Sequence, residues 1–213
     1  MRRIALVLTA LLSVAAFSGA GQQAPQRLRP AYSDAQIALL DRVSAYLNTI
    51  RTMQSGFVQI GPDGAVDQGV LFIEKPGRIR FQYNRPSPVL IVATGGSVYV
   101  HNARLNTVDR YSLSDTPLGL LLNEKIDLAR NRAVIGVQER DGAIIVNART
   151  STNRNTSNIT LVFSSGNIEL RQWTVRDNQG GDTTVALQNP QFGPALDSAL
   201  FTAPVRISRF NKR

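Results

Sequence analysis

The sequence contains no cysteine. That excludes disulfides, thiolate nucleophiles and Cys-ligated metal sites, so an apolar core has to hold the fold. Histidine occurs once, at His101, in the run Val98-Tyr99-Val100-His101-Asn102. A lone imidazole at a strand end, with no nucleophile or orienting partner in its pattern, builds no catalytic triad. No GxSxG, HExxH, P-loop or post-strand GxGxxG pattern is present. Asp63, Asp67 and Glu74 lack calcium-loop spacing, and Asp109, Asp115 and Glu124 read as turn and cap residues. The expectation is a protein that is not an enzyme and takes no metal or cofactor.

Acidic residues are scarce beside basic ones, 15 against 24, for a net charge of +9. The basic residues are scattered along strand-like runs. No helix is dense in Lys and Arg, and no basic-aromatic repeat occurs, so nucleic acid is not an expected partner. Most of this charge reads as a solvated outer face, with docking to an anionic surface as the other use.

Long apolar runs are also scarce. The one that stands out is Ile4 to Phe17, behind the basic Met1-Arg2-Arg3 and ahead of the small residues Ser18-Gly19-Ala20. It is too short to span a bilayer and has the three parts of a secretory signal peptide. Cleavage is expected after Ala20. With no Cys at the cleavage point, no lipid anchor is expected. Removing Arg2 and Arg3 lowers the charge from +9 to +7. The remaining chain, roughly 190 residues, suits one domain. Residues 21–32, rich in Gln, Pro and Arg, read as a leader; residues 33–213 read as that domain.

What the chain does have is β-type alternation. In residues 69–83, GVLFIEKPGRIRFQY, Leu71 and Ile73 share one face, and Ile79, Phe81 and Tyr83 share the equivalent face of the next run. Arg78, Arg80 and Gln82 fall opposite. Similar runs are expected at 53–61, 68–74, 78–83, 88–94, 97–102 and 105–111, then at 133–139, 143–150, 158–164, 168–176 and 182–189. Their even, short spacing predicts an antiparallel meander, because parallel neighbours need crossover helices. Ser33-Asp34 caps a helix to about Arg51, with Ile37, Leu40, Val43, Tyr46 and Leu47 on one stripe. Asp115-Thr116-Pro117 opens a short apolar helix over Leu118–Leu122, which residues 123–132 continue as another short helix. Pro194–Phe201 reads as a further short helix or turn, and the residues from Val205 as a basic tail.

Phe57, Phe72, Phe81, Tyr83, Tyr99, Phe163 and Trp173 all lie in strand-like runs. They are either an ordinary sandwich core or the wall of a ligand cavity. Strand alternation places Leu71, Ile73, Ile79, Phe81, Leu90, Val92, Tyr99 and Trp173 on a common apolar face. Leu118, Leu121 and Leu122 then close it as a lid.

From Met53 to Asn123 the chain resembles the periplasmic outer-membrane lipoprotein carriers, the LolA family. The resemblance rests on the first helix, Ser55-Gly56-Phe57-Val58-Gln59, Gly69, the block Lys75 to Tyr83, Pro86, Gly95-Gly96-Ser97-Val98-Tyr99-Val100 and the Thr116-Pro117 helix. It continues more loosely through Phe163–Ile168, Trp173, Asn189-Pro190 and Leu200–Pro204. It implies an incompletely closed antiparallel β-barrel, mainly β with short helices forming a lid over an apolar cavity. The implied partners are acylated lipoproteins, an inner-membrane ABC-type extractor, and an outer-membrane receptor or the outer membrane itself. The implied state is a monomer in the periplasm. A lipid- or lipoprotein-sensing regulatory protein of the same fold is the alternative. The resemblance also implies that Lys75 latches the lid, bonding backbone carbonyls near Leu121 and Trp173. The other reading makes Lys75 a solvated turn residue.

Overall fold

The computed structural model describes residues 32–151 and 156–205. The expected signal peptide and all but Tyr32 of the leader lie outside these residues. Eleven antiparallel strands form one sheet. They are β1 (Thr52–Ile60), β2 (Val66–Glu74), β3 (Arg78–Tyr83), β4 (Val89–Thr94), β5 (Ser97–Asn102), β6 (Thr107–Ser112), β7 (Val134–Arg140), β8 (Ala143–Ser151), β9 (Thr156–Ser164), β10 (Glu169–Arg176) and β11 (Asp182–Phe192). The spatial order is β6-β5-β4-β3-β2-β1-β11-β10-β9-β8-β7. Two meanders are thus joined through the β1–β11 pair, and β6 and β7 are free edges. All eleven expected strands are found, with small shifts at their ends.

The sheet is open but strongly curled. β3 and β10 are four strands apart in the order, which is about 19 Å in a flat sheet. Yet the rings of Phe81 and Trp173 meet edge to face at 6.2 Å between centroids. Only inward curvature lets side chains on strands so far apart touch.

Helix α1 (Asp34–Thr49) lies on the inner face. Ser33 caps it with a full capping box through Gln36, satisfying amides that the first turn leaves orphaned. Leu40, Val43, Ser44 and Leu47 are buried. Ile37 is not, being 38% exposed, so the stripe is narrower than its spacing predicts.

The connection from β6 to β7 carries the chain between the two free edges. It contains a 3-10 turn (Leu113–Asp115) and helix α2 (Gly119–Leu122). The helix starts two residues after Pro117 rather than on it. No helix follows over 123–132. Asp127 and Asn131 turn their carbonyl and carboxylate oxygens onto the nearby amides of Arg130 and Ala133, which competes with helical bonding. The amides of Ile126 and Leu128 go to Asn48 and Ser44 of α1 instead. A last 3-10 turn, Ser198–Phe201, packs on the outer face of β3 and β4.

Candidate functional site

The inner face is continuous in β1, β2 and β3. Register pairs Leu71 with Phe81 and Ile73 with Ile79, and Phe57 with Gly69, which in turn faces Tyr83. Gly69 has a particular role in this rung. A Cβ there would overlap the Gln82 carbonyl oxygen and lie 2.8 Å from Phe57 Cε1. Its absence lets the Phe57 and Tyr83 rings meet edge to face at 5.2 Å. Phe81 joins Phe57 at 5.4 Å, and Trp173 completes the cluster. Phe57, Leu71 and Ile79 have no exposed surface, and Ile73, Phe81 and Trp173 retain 5% or less. The apolar interior is sealed in this structure, with Leu120, Leu121 and Leu122 of α2 buried in the same cluster. Leu118 is half-buried against it.

Leu71, Ile73, Ile79, Phe81 and Trp173 therefore come together as expected. Leu90, Val92 and Tyr99 do not. Gln82 pairs with Leu90 and Arg80 with Val92, and Val92 with Tyr99, so all three lie on the outer face. The connection between β3 and β4 preserves residue parity across the pair, which makes Ile91 and Ala93 the inner residues of β4. The two-residue Gly95-Gly96 turn, with φ of 55° and 73°, then switches parity, and Val98 and Val100 point inward on β5. Val92 is fully buried, but on the outer side, where Ser198–Phe201 packs. Phe57, Tyr83, Ile91, Ala93 and Val98 belong to the inner wall and its margin. The double glycine was the signal for Val98.

At one margin of the cluster sits a small polar group. Tyr83 donates its hydroxyl proton to Gln59 Oε1 at 2.8 Å, and Gln59 pairs across the ladder with Asp67. Burial, reinforced by the Asp67 charge, pushes the Tyr83 phenol up to about 12. His101 lies on the outer face of β5, opposite Leu90. Its Nε2 is buried without a hydrogen-bond partner. Among the described residues no group of His, Asp and Glu has the geometry of a metal site.

Lys75 is neither solvated nor bonded to the lid. It is 9% exposed, and its Nζ donates to the Leu47 carbonyl at 2.6 Å, in the last turn of α1. The carbonyls expected near Leu121 and Trp173 are not its partners. The reason is the path of α1, whose C-terminus descends beside the β2–β3 hairpin and presents an orphan carbonyl there. Burial, with Arg51 nearby, lowers the Lys75 ammonium to about 8. The lid contact comes from the same hairpin by another group: the Gly77 amide donates to the Leu122 carbonyl at 2.8 Å. One tight turn thus holds both covers, α1 by a side chain and α2 by the backbone.

A curled antiparallel sheet sealed by a mid-chain leucine helix is the setting for the comparison with known proteins. Residues 48–204 match the family model for the outer membrane lipoprotein carrier protein LolA. The chain belongs to the LolA family. The matched span covers all eleven strands, α2 and the Ser198–Phe201 turn; most of α1 precedes it. An outer-membrane lipoprotein carrier protein of Dechloromonas aromatica is 27% identical over 177 residues, covering 78% of this chain and 84% of its own. Its counterpart in Methylococcus capsulatus is 26% identical over 178 residues, covering 79% and 85%. A LolA superfamily protein of Nitrosomonas europaea aligns over 76% of this chain and 97% of its own, at 10% identity and a TM-score of 0.43.

Proposed function

We propose that this chain shields the acyl chains of lipoproteins and carries them through the periplasm, from an ABC-type extractor in the inner membrane to the outer membrane. The observation that carries this reading is the sealed apolar interior of a LolA-family sheet, whose lid is almost wholly leucine. Burying an acyl chain is worth about 0.8 kcal/mol per methylene. A cavity lined by Leu71, Ile73, Ile79, Phe81, Trp173 and Phe57 offers that exchange once Leu118, Leu121 and Leu122 lift. Carriage of this kind needs no covalent step. Lys75 serves this mechanism by fixing α1, so that α2 alone moves. A signal peptide over residues 1–20 accounts for the location.

Uptake of a fluorescent hydrophobic probe tests the cavity. Phe81→Asp abolishes uptake while the chain keeps its far-UV circular dichroism and cooperative melting. Unfolding of Phe81→Asp, with Leu121→Ala also leaving uptake unchanged, would make the interior a permanent core. Mass spectrometry of the protein isolated from the periplasm tests the cargo: bound lipoprotein is expected. Free lipid or peptide would favour a sensing protein of the same fold.

A further inference from the structure

The inner face of β1 to β3 is apolar beside the lid and changes character at its far end. There Gln59 and Asp67 pair across the ladder. The parity that turns Phe57 and Leu71 inward turns both of them inward as well. On its other side Gln59 faces Val185, which in turn pairs with Trp173. The rung thus passes from the aromatic cluster to a carboxylate. Tyr83 donates to Gln59 Oε1 at 2.8 Å, while its ring packs on Phe57 at 5.2 Å. One side chain therefore belongs both to the apolar wall and to the polar group. Gln59, Asp67 and Tyr83 are half-buried rather than sealed, so water and ligand atoms can reach them.

The group has bonding capacity left over. With Oε1 taken by Tyr83, Gln59 keeps its Nε2 donors to offer. Asp67 only accepts, and no ion pair among the described residues includes it. The β3 ladder ends at Tyr83, opposite Gly69, so no strand residue is paired with Asp67 on that side. Arg85, just beyond, is exposed. The Asp67 charge opposes ionisation of the Tyr83 phenol, as expected where carboxylate, amide and hydroxyl gather at one point. Along β2 this point lies away from the hairpin where Gly77 meets Leu122. From Asp67 through Leu71 to Ile73 the strand runs about 20 Å, and its inner side is apolar beyond Asp67.

We propose that Asp67, Gln59 and Tyr83 hold the polar end of a bound acyl chain, and that they select a chain joined through an amide over a free fatty acid. A trans amide points its N–H and its C=O in opposite directions. Set over the Gln59–Asp67 rung, it donates its N–H to the Asp67 carboxylate and accepts from Gln59 Nε2 through its carbonyl. A fatty-acid carboxylate has no N–H to give. It also meets the Asp67 charge at close range, beside an apolar wall that weakens screening. The tail then lies along Leu71 and Ile73, in the space that Leu121 and Leu122 vacate when α2 lifts. The proposal deepens the carrier reading and rests on it.

The experiment is competition against a fluorescent apolar probe bound by the chain from Gly21 onward. The competitors are N-dodecanoylglycinamide and dodecanoate, the latter ionised at about pH 7. The amide is expected to displace the probe at a concentration at least about tenfold below that of dodecanoate, the difference that one hydrogen bond to a charged group makes. Asp67→Asn removes the charge and keeps the shape, and is expected to bring the two competitors within about threefold of each other. Asp63→Asn, the same loss of charge in the neighbouring turn, is expected to keep the native ratio. Equal displacement by the two competitors in the native chain would overturn the proposal and leave the carrier reading standing, since both would still enter. So would a native ratio in Asp67→Asn, or an equal change of ratio in Asp63→Asn. A probe displaced by neither competitor would overturn the proposal together with the cavity on which it rests.

Discussion

The two covers of the inner face are held in opposite ways. Helix α1 is fixed by directional bonds along its length. Gln36 donates to the Val137 carbonyl, Arg42 to the Ser165 carbonyl, and the Leu170 amide to the Tyr46 hydroxyl. Ser44 accepts from the Leu128 amide, Asn48 bonds Ile126 through both amide groups, and Lys75 holds the Leu47 carbonyl. Helix α2 has one turn of backbone, buried leucines and the Gly77 bond to Leu122. Apolar contact is non-directional and is regained in many arrangements, whereas a buried hydrogen bond broken without a replacement costs about 1–3 kcal/mol. On this difference α2 is the cover expected to move, and α1 the one expected to stay with the sheet.

The largest expected effect breaks the half of the sheet under α2. Gly69→Ala drives a methyl group into the Gln82 carbonyl and the Phe57 ring, and is expected to cost more than about 4 kcal/mol in urea unfolding. Gly136 on β7 is the matching control. A Cβ there meets Asn147 Nδ2 at 4.0 Å and nothing nearer, so Gly136→Ala is expected to change stability by less than about 1 kcal/mol. Similar costs at the two glycines would remove the distinction between the aromatic half and its partner.

Hydrogen exchange sharpens the comparison of covers directly. The Leu121 and Leu122 amides are expected to exchange at least about tenfold faster than those of Ser44 and Leu47, as for a segment that opens below the global unfolding energy. Equal protection would show the covers opening as one unit and would leave α2 without a separate lid motion.

The smallest effect concerns the hairpin that touches both covers. Lys75 binds its proton less tightly in the folded chain, at about 8, than its ordinary 10.5. Between those values the unfolded chain carries the extra proton, so this group makes stability rise with pH from about 8 upward. Tyr83 acts in the other sense. With its phenol raised to about 12, its contribution is full below pH 10 and is lost above it, as the unfolded chain ionises first. Unfolding free energies at about pH 7.5 and 9.5 should rise on the order of 1 kcal/mol in the native chain and stay flat in Lys75→Met. A rise that survives the substitution would assign it to another group.

The strands were legible because their determinants are local. Alternation along 69–74 and 78–83 and the glycine turns specify where each strand starts, stops and faces its nearest neighbour. Ile79 and Phe81 followed from that pattern without error. Leu90, Val92 and Tyr99 did not, because the face of a whole strand depends on how its connecting loop sets register. One residue of parity in the β3–β4 connection moved all three to the outside together. Local pattern also overstated helix in 123–132, where side chains of α1 claim the amides a helix needs.

From its sequence alone, then, this chain determined its class, its eleven strands, the capped first helix and the leucine helix. All are matters of residue type and near-neighbour spacing. The tertiary structure decided what touches what at a distance. Lys75 meets Leu47 across 28 residues, Arg80 meets Leu200 across 120, and Phe81 meets Trp173 only because the sheet curls. Such contacts depend on where separate elements come to lie after collapse, and no pattern within a few residues encodes that position.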